Sequence, residues 1–479
     1  MSKYLIIPAL FACSLIPLKS NGQSSQEQVD SVFKKVRIFF DLKQPDSLYA
    51  LTGEAFRSKL SPEAFKQVSV GLFQVGKILD AQLMSHKGGV SSYKLSTKDV
   101  TLEMLLGLDS SGRIHTFLFR PWKDLTALKA TPVATSNRMS SPLDHTVDSL
   151  VRKYIQLEPA AGLSVGIYKD RKSGFYHYGT IAKGREILPD DSTFYEIGSI
   201  TKTFTSLILA HLVNEGKLAL KDPIVKYLPD SVAENEALKN ISVVMLANHT
   251  SGLQRMPGNF LVVVKDALNP YKDYPVEAMM AYLKKAKLEN EPGKSFSYSN
   301  LGMAVLGYIL EKAGGSDYQN LFERYITGPL SLKNTTLSLD SAQKTRMTRV
   351  YNENGEETPA WDFQVMAPAG AVRSNVADMV NYGVSMLDPS RGESFEKARQ
   401  LVLTKSHDGL AKIGLGWMIL EKDGVTIYTH SGGTYGSRSF LAIVPDKKIV
   451  VTLLSNSALD VDETGAHLLF SLLGIQSGE

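Results

Sequence analysis

The sequence predicts an α+β fold: an antiparallel sheet flanked by helices, joined to a mostly helical subdomain and preceded by a small α+β N-terminal module. Three observations carry this. Two strand-like runs come first, at 162–169 and 175–181. A long, mostly helical stretch follows from 199 to about 386, and three strand-like runs close the chain at 425–430, 438–444 and 449–455. Strands at both ends of one domain bury their apolar faces only by pairing with each other, so the two ends must complete a single sheet.

Met1-Ser2-Lys3 precedes an apolar run over 4–18 and the polar Lys19-Ser20-Asn21-Gly22-Gln23. This is the pattern of a secretory signal peptide over 1–22, with small Ser20 and Gly22 placed for cleavage after Gly22. The run is too short to span a membrane, and no later stretch approaches ~18 unbroken apolar residues. Leu10-Phe11-Ala12-Cys13 also resembles a lipoprotein box, in which case a lipidated Cys13 would anchor the mature chain to a membrane. Both readings export the protein, to the periplasm or beyond. Neither leaves a cysteine for a disulfide or a nucleophile, since the chain has 1 Cys.

Over 26–122 the chain reads as the small α+β module. Val29, Val32, Phe33, Val36 and Phe40 fall at helical spacing. Residues 48–60 and 62–75 read as helices, the latter opened by Ser61-Pro62-Glu63. Val100 to Leu108 and Arg113 to Phe119, joined by Asp109-Ser110-Ser111-Gly112, read as a hairpin. Phe117, Phe119 and Trp122 are expected in its core. Residues 123–142, rich in Ala, Thr, Ser and Pro, read as a linker. A larger domain then occupies 143–479, from an amphipathic helix over 143–156 to a last helix near 468–473.

Composition excludes several classes. Among 479 residues, 53 Lys+Arg against 49 Asp+Glu leave a net charge of +4, with no dense basic run, so nucleic acid is not an expected partner. The nine histidines include no two within five residues of each other, so no close pair of metal ligands exists. Gly293-Lys294-Ser295 could end a phosphate loop, but the glycine needed five residues earlier is Leu288. No metal and no cofactor are therefore expected. Gly162-Leu163-Ser164-Val165-Gly166 matches the Gly-x-Ser-x-Gly elbow of α/β-hydrolases, yet it lies within one strand and is followed by another. The elbow needs a strand-to-helix turn, so Ser164 reads as a sheet serine.

What remains is a constellation. Glu196-Ile197-Gly198-Ser199-Ile200-Thr201-Lys202 opens an apolar helix. Ser199 and Lys202 are three apart and share a face, and a desolvated lysine can act as the base that a serine alcohol requires. Ser199 also sits in the positive field of the helix N-terminus. Alone this is weak, because Ser-x-x-Lys recurs at Ser31/Lys34, Ser91/Lys94, Ser341/Lys344 and Ser394/Lys397. Phe296-Ser297-Tyr298-Ser299-Asn300 reads as a loop entering a helix over 301–312, with Tyr298 a proton acceptor and Asn300 an amide contact. Thr429-His430-Ser431-Gly432-Gly433-Thr434-Tyr435-Gly436 follows a strand and reads, from 430 on, as a glycine-rich hairpin turn whose N–H groups can approach a ligand.

Together, in this order, the three elements resemble the serine β-lactamase and penicillin-binding-protein superfamily, in the class C β-lactamase branch with its D-peptidase and esterase relatives. That family carries Ser-x-x-Lys, Tyr-x-Asn and [Lys/His]-[Ser/Thr]-Gly. His249-Thr250-Ser251-Gly252-Leu253, Pro368-Ala369-Gly370 and Gly414-Leu415-Gly416-Trp417 look like further landmarks, and the similarity covers roughly 144–475. The resemblance implies a β-lactamase-like fold. It implies Ser199 as the acylated nucleophile, Lys202 as its proton partner and Tyr298 as general base. Asn300, His430, Ser431 and Gly432 would contact substrate, and the N–H groups of Ser199 and Gly433 would form the oxyanion hole. His249 would stabilise a turn beside the site. A small-molecule or peptide substrate, of cell-wall origin or not, is implied.

The implied activity is an exported serine hydrolase acting on amide, peptide or ester bonds. The alternatives are a D-alanyl-D-alanine carboxypeptidase or β-lactamase proper, and a non-hydrolysing sensor of cell-wall fragments. The chain departs from the β-lactamases at His430, where they use lysine. Histidine is mostly neutral at pH 7, so weak or no β-lactam hydrolysis is expected.

Overall fold

The structure, a computed structural model, describes residues 24–57, 60–87, 89–122, 127–409 and 411–476. The leader, its cleavage point and Cys13 lie outside these residues. The chain divides into two units, Met1–Asp124 and Leu125–Glu479.

In the first unit the helix Gln26–Asp41 starts at Ser25, whose hydroxyl accepts the Gln28 N–H while the Gln28 side chain accepts the Ser25 N–H. This reciprocal pair satisfies two otherwise orphaned donors. Val29, Val36 and Phe40 turn inward onto a four-stranded antiparallel meander of Asp80–Lys87, Val90–Ser96, Thr101–Leu108 and Ile114–Pro121. The helix expected over 48–60 is broken in two, Pro45–Ala50 and Glu54–Arg57, because the Gly53 N–H donates to the Ile114 carbonyl and the Ile114 N–H to Leu51. The first two strands escape an apolar-periodicity reading. Ser91 and Ser92 occupy buried positions there, satisfied by His86 Nδ1 (2.9 Å) and Glu103 (2.6 Å). Phe119 is buried and Phe117 packs beside it, whereas Trp122, expected in the core, is half-buried with the Lys94 ammonium 5.0 Å from its ring.

In the second unit the helix Pro142–Ile155 opens on Ser141 and Asp144, again as a reciprocal cap. One eight-stranded antiparallel sheet follows, in the order His407–Asp408, Lys412–Ile413, Met418–Lys422, Val425–Gly433, Arg438–Val444, Ile449–Ser455, Gly162–Lys169 and Lys172–Gly179. The last strand of the chain thus pairs with the first strand of the unit, Leu453 opposite Val165, so the two ends close one sheet around the inserted helices. His407–Asp408 and Lys412–Ile413 at the sheet edge were not legible, since two-residue ladders show no period. Alternation sorts the faces: Phe440, Ala442 and Val444 pack against the helices Pro142–Ile155 and Asp462–Leu473, whereas Leu441 and Ile443 face the helical subdomain.

The helix Thr201–Asn214 runs through that subdomain with residues 201–212 all buried, as a helix apolar on every side must be. Phe204 stacks on Tyr382 at 3.9 Å between centroids. Truncating it to alanine costs about 3–5 kcal/mol. This rigid helix carries the nucleophile segment at its N-terminal end.

Candidate active site

Ser199 lies not in the first α-turn but in a 3-10 turn, Gly198–Ile200, leading into the helix. Gly198 has φ +49°, and a Cβ there would stand 2.6 Å from the Gly433 nitrogen. On the facing strand a Cβ at Gly432 would stand 1.9 Å from the Ile197 carbonyl oxygen, to which Ser439 donates at 2.8 Å. Only glycine lets the two backbones touch here, and the contact brings the Gly433 N–H beside Ser199.

Lys202 is fully buried, with Nζ 2.9 Å from Ser199 Oγ and donating to the Ala369 carbonyl at 2.6 Å. Burial, reinforced by the Arg255 charge, pushes its ammonium well below the ordinary lysine range. The amine is therefore the form that can accept the serine proton.

The second wall is the loop before the helix Asn300–Gly314. Ser299 caps that helix by accepting the Gly302 N–H (2.8 Å) and donates to the Gln254 carbonyl (2.7 Å). His249, at φ +58°, holds the loop from below: its carbonyl accepts the Ser297 N–H (2.7 Å) and its Nδ1 the Ser299 N–H (3.2 Å). Its ring lies 4.5 Å from the Tyr298 ring. Burial pushes the Tyr298 phenol up to about 12, against the pull of the Ser199 hydroxyl and Arg255. Asn300 lines the cleft beside Ser199, and its Oδ1 is buried without a hydrogen-bond partner.

The third wall corrects the expected turn. The strand Val425–Gly433 runs through His430 to Gly433, and only Thr434–Ser437 form the bend. His430 pairs with Leu441 in a regular ladder. Burial and the Lys202 neighbour push its imidazole down to about 3, and Nδ1 donates to the Ser431 carbonyl at 2.7 Å. It is a neutral ring, 6.4 Å from Tyr298.

Alternation puts Ser431 on the opposite face, paired with Phe440 and turned toward Asp462 at the start of the last helix. It does not face the cleft with His430, contrary to the expected substrate contact. Gly432, also expected to touch substrate, is sealed against Ile197. Gly433 stays exposed, its N–H facing the Ser199 turn.

Several site residues were not assigned from sequence. Glu196 is buried and accepts from the Trp361 N–H (2.5 Å), Thr434 (2.7 Å) and Ser437 (3.4 Å), tying the nucleophile segment to two other walls. Burial raises its carboxyl above the ordinary range while these donors and Arg373 oppose the rise. Tyr271, Trp361 and Phe363 form an aromatic side of the same cleft, with Tyr271 stacked on Phe363 at 4.9 Å. Arg255 stands over Tyr298. The signal for these was absent because they come from loops with no period. Among the described residues no group of three or more His, Cys, Asp or Glu side chains could hold a metal ion, and no helix is long and apolar enough to cross a membrane.

A family model described as Beta-lactamase matches residues 147–473. A "Beta-lactamase" of Providencia stuartii is 27% identical over 351 residues, 66% of this chain and 88% of that protein. The "D-alanyl-D-alanine-carboxypeptidase/endopeptidase AmpH" of Escherichia coli (strain K12) is 29% identical over 343 residues, 68% of this chain and 86% of that protein. Among solved structures, "A class C beta-lactamase" superposes with TM-score 0.63 at 23% identity, covering 72% of this chain and 99% of the other.

Proposed function

The chain belongs to the Beta-lactamase family, in the class C-like branch of the serine β-lactamase and penicillin-binding-protein superfamily, and from that premise we propose an exported serine hydrolase that cleaves amide, peptide or ester bonds through an acyl-enzyme. The observation that carries this is the 2.9 Å approach of Ser199 Oγ to the nitrogen of a fully buried lysine. Lys202 takes the serine proton as Oγ bonds to the substrate carbonyl carbon. The carbonyl oxygen becomes an oxyanion held by the N–H groups of Ser199 and Gly433, each such donor typically worth ~3–4 kcal/mol of transition-state stabilisation.

Tyr298, protonated at rest, gives its proton to the leaving group as the scissile bond breaks. The resulting phenolate stands beside the Lys202 ammonium, 4.9 Å from the ring centroid. In deacylation the phenolate is the general base. It takes a proton from water, the hydroxide attacks the acyl carbon, and the Lys202 ammonium reprotonates Ser199 Oγ as it departs. Every group returns to its starting state.

Asn300 Oδ1, buried and unpartnered, supplies an acceptor for a substrate amide N–H. The neutral His430 supplies no fixed cation for the carboxylate of a β-lactam or of a D-Ala-D-Ala terminus, so we place β-lactams among poor substrates. The likeness to AmpH supports the second reading, a D-alanyl-D-alanine carboxypeptidase. The leader-like start supports export.

Intact-mass detection of an adduct from a fluorophosphonate, present in the wild type and absent in Ser199→Ala, tests the acyl-enzyme and excludes the non-hydrolysing sensor when coupled to turnover. A panel of D-peptides, short esters and a cephalosporin then ranks substrates. Cephalosporin turnover at rates comparable with the esters would sink the His430 argument.

A further inference from the structure

The strand wall of the cleft carries a neutral histidine, and Lys202 beneath it is buried, with its ammonium form disfavoured by that burial. Positive charge stands instead on the opposite wall. Arg255 is exposed, its guanidinium carbon 4.9 Å from the centroid of the Tyr298 ring. Its own carbonyl accepts the N–H groups of Asn300 (3.0 Å) and Leu301 (3.2 Å), which fixes its backbone to the start of the helix that carries Asn300. The charge reaches into the site, favouring the less protonated forms of Lys202, His249 and Tyr298.

Among the described residues no carboxylate forms an ion pair with Arg255. A guanidinium stacked on an aromatic ring keeps its in-plane N–H fork free for a carboxylate. A cleft lined by one sign of charge with no internal counter-ion concentrates a ligand of the opposite sign.

Resting on the acyl-enzyme reading above, we propose that Arg255 determines specificity by binding a carboxylate on the acyl side of the substrate. The acyl side follows from the anchor: the Arg255 carbonyl holds the N–H of Asn300, the residue with the unpartnered amide oxygen, which the acyl-enzyme reading sets against the acyl portion of the substrate. Charge recognition has thus moved from the strand wall to the loop wall.

The test uses three 4-nitrophenyl esters with the Ser199→Ala rate subtracted. One is the acid-terminated monoadipate, one the uncharged hexanoate. The third is the hexanoate with a carboxylate placed on the nitrophenyl ring instead. The wild type should prefer the monoadipate over the hexanoate by about 10-fold or more in kcat/KM, carried mainly by KM, the size of one charge-assisted bidentate contact. Arg255→Ala should bring that ratio to about 1, Arg255→Lys should restore part of it, and added salt should lower it in the wild type.

A wild type with no preference, a preference that survives in Arg255→Ala, or a preference for the ring carboxylate alone would each overturn the proposal. If a fluorophosphonate still labels Ser199 and the esters still turn over, only the Arg255 assignment falls. If no adduct forms at Ser199, the acyl-enzyme reading itself has failed.

Discussion

Among the described residues of the second unit, two serines stand beside a lysine or histidine side chain, and they are made for different things. Ser164 Oγ lies 2.9 Å from His177 Nδ1, and His177 Nε2 lies 2.8 Å from Asp191. Set in a Gly-x-Ser-x-Gly sequence, this is the hydrogen-bond order of a Ser–His–Asp triad. Yet Ser164 is 0% exposed, in a regular strand between Leu454 and His177, and the Tyr195 hydroxyl lies a further 2.9 Å from its oxygen. Its ladder consumes the neighbouring N–H groups, so no donor is spare for an oxyanion and no path admits a carbonyl. Ser199 has a plainer partner, one lysine, but it stands on a 3-10 turn at a cleft with an exposed glycine N–H opposite. A bonded base does not make a nucleophile. Access and unspent donors do.

The largest expected effect separates the two centres directly: Ser199→Ala should abolish the fluorophosphonate adduct and lower ester hydrolysis by about 10³-fold or more. Lys202→Met should come next, lowering kcat/KM by about 10²–10⁴-fold. It should also change stability in a way that depends on pH. A lysine whose folded pKa lies below its unfolded ~10.4 binds fewer protons folded than unfolded between those two values, so wild-type stability should rise with pH across that window, up to ~10.4. The methionine variant should be the more stable at pH 7 and lose that advantage as pH approaches ~10.4. Denaturant titrations at several pH values would show a parallel pair of curves if Lys202 is charged in the fold.

Gly432→Ala should break the Ser199 centre through backbone collision with Ile197, whereas Gly166→Ala, whose Cβ would meet the Val376 and Val380 side chains, should cost stability while leaving kcat intact. Comparing kcat with Tm for both variants checks this. Glu196→Gln keeps the volume but weakens the acceptor that ties Trp361 and Thr434 to the nucleophile segment. A kcat loss of about 10-fold, the scale of one charge-assisted hydrogen bond, with an unchanged far-ultraviolet circular dichroism spectrum is the expected signature of a positioning role. The smallest effect belongs to Ser164→Ala: activity within about 2-fold and a loss of about 1–3 kcal/mol of stability for the unpaired His177 and Tyr195, read as a lowered Tm. Any large loss of activity there would make the buried relay more than structural.

Much of the fold was legible because it is periodic. The helices at 26 and 142 and the central and last strands announce themselves by the spacing of their apolar residues. The strands at 80–96 and 407–413 do not, since serines fill buried positions in one and the ladders are two residues long in the other. In the site, Ser199, Lys202 and Tyr298 were within reach as residue types at short spacing. Arg255, Glu196 and the Tyr271–Trp361–Phe363 side were not, because they converge from separate loops. A second Tyr-x-Asn, at Tyr318 and Asn320, is no rival site: Tyr318 is buried in the helical subdomain with its hydroxyl 2.6 Å from Thr205.

By itself the sequence determined which serine could lean on which lysine, since covalent geometry places residues three apart on one helical face whatever surrounds them. It also determined that glycines must stand where two backbones meet, and that the strands at both ends share a sheet. The tertiary structure decided the rest. Of the Ser-x-x-Lys pairs, those at Lys34, Lys344 and Lys397 have exposed ammonium groups, and Lys202 alone among the five lysines is buried at 0% exposure. It likewise turned Ser431 to the far face of the strand and left His430 without charge. Protonation and access depend on how much water is excluded, and the residues that exclude it come from segments hundreds of positions apart.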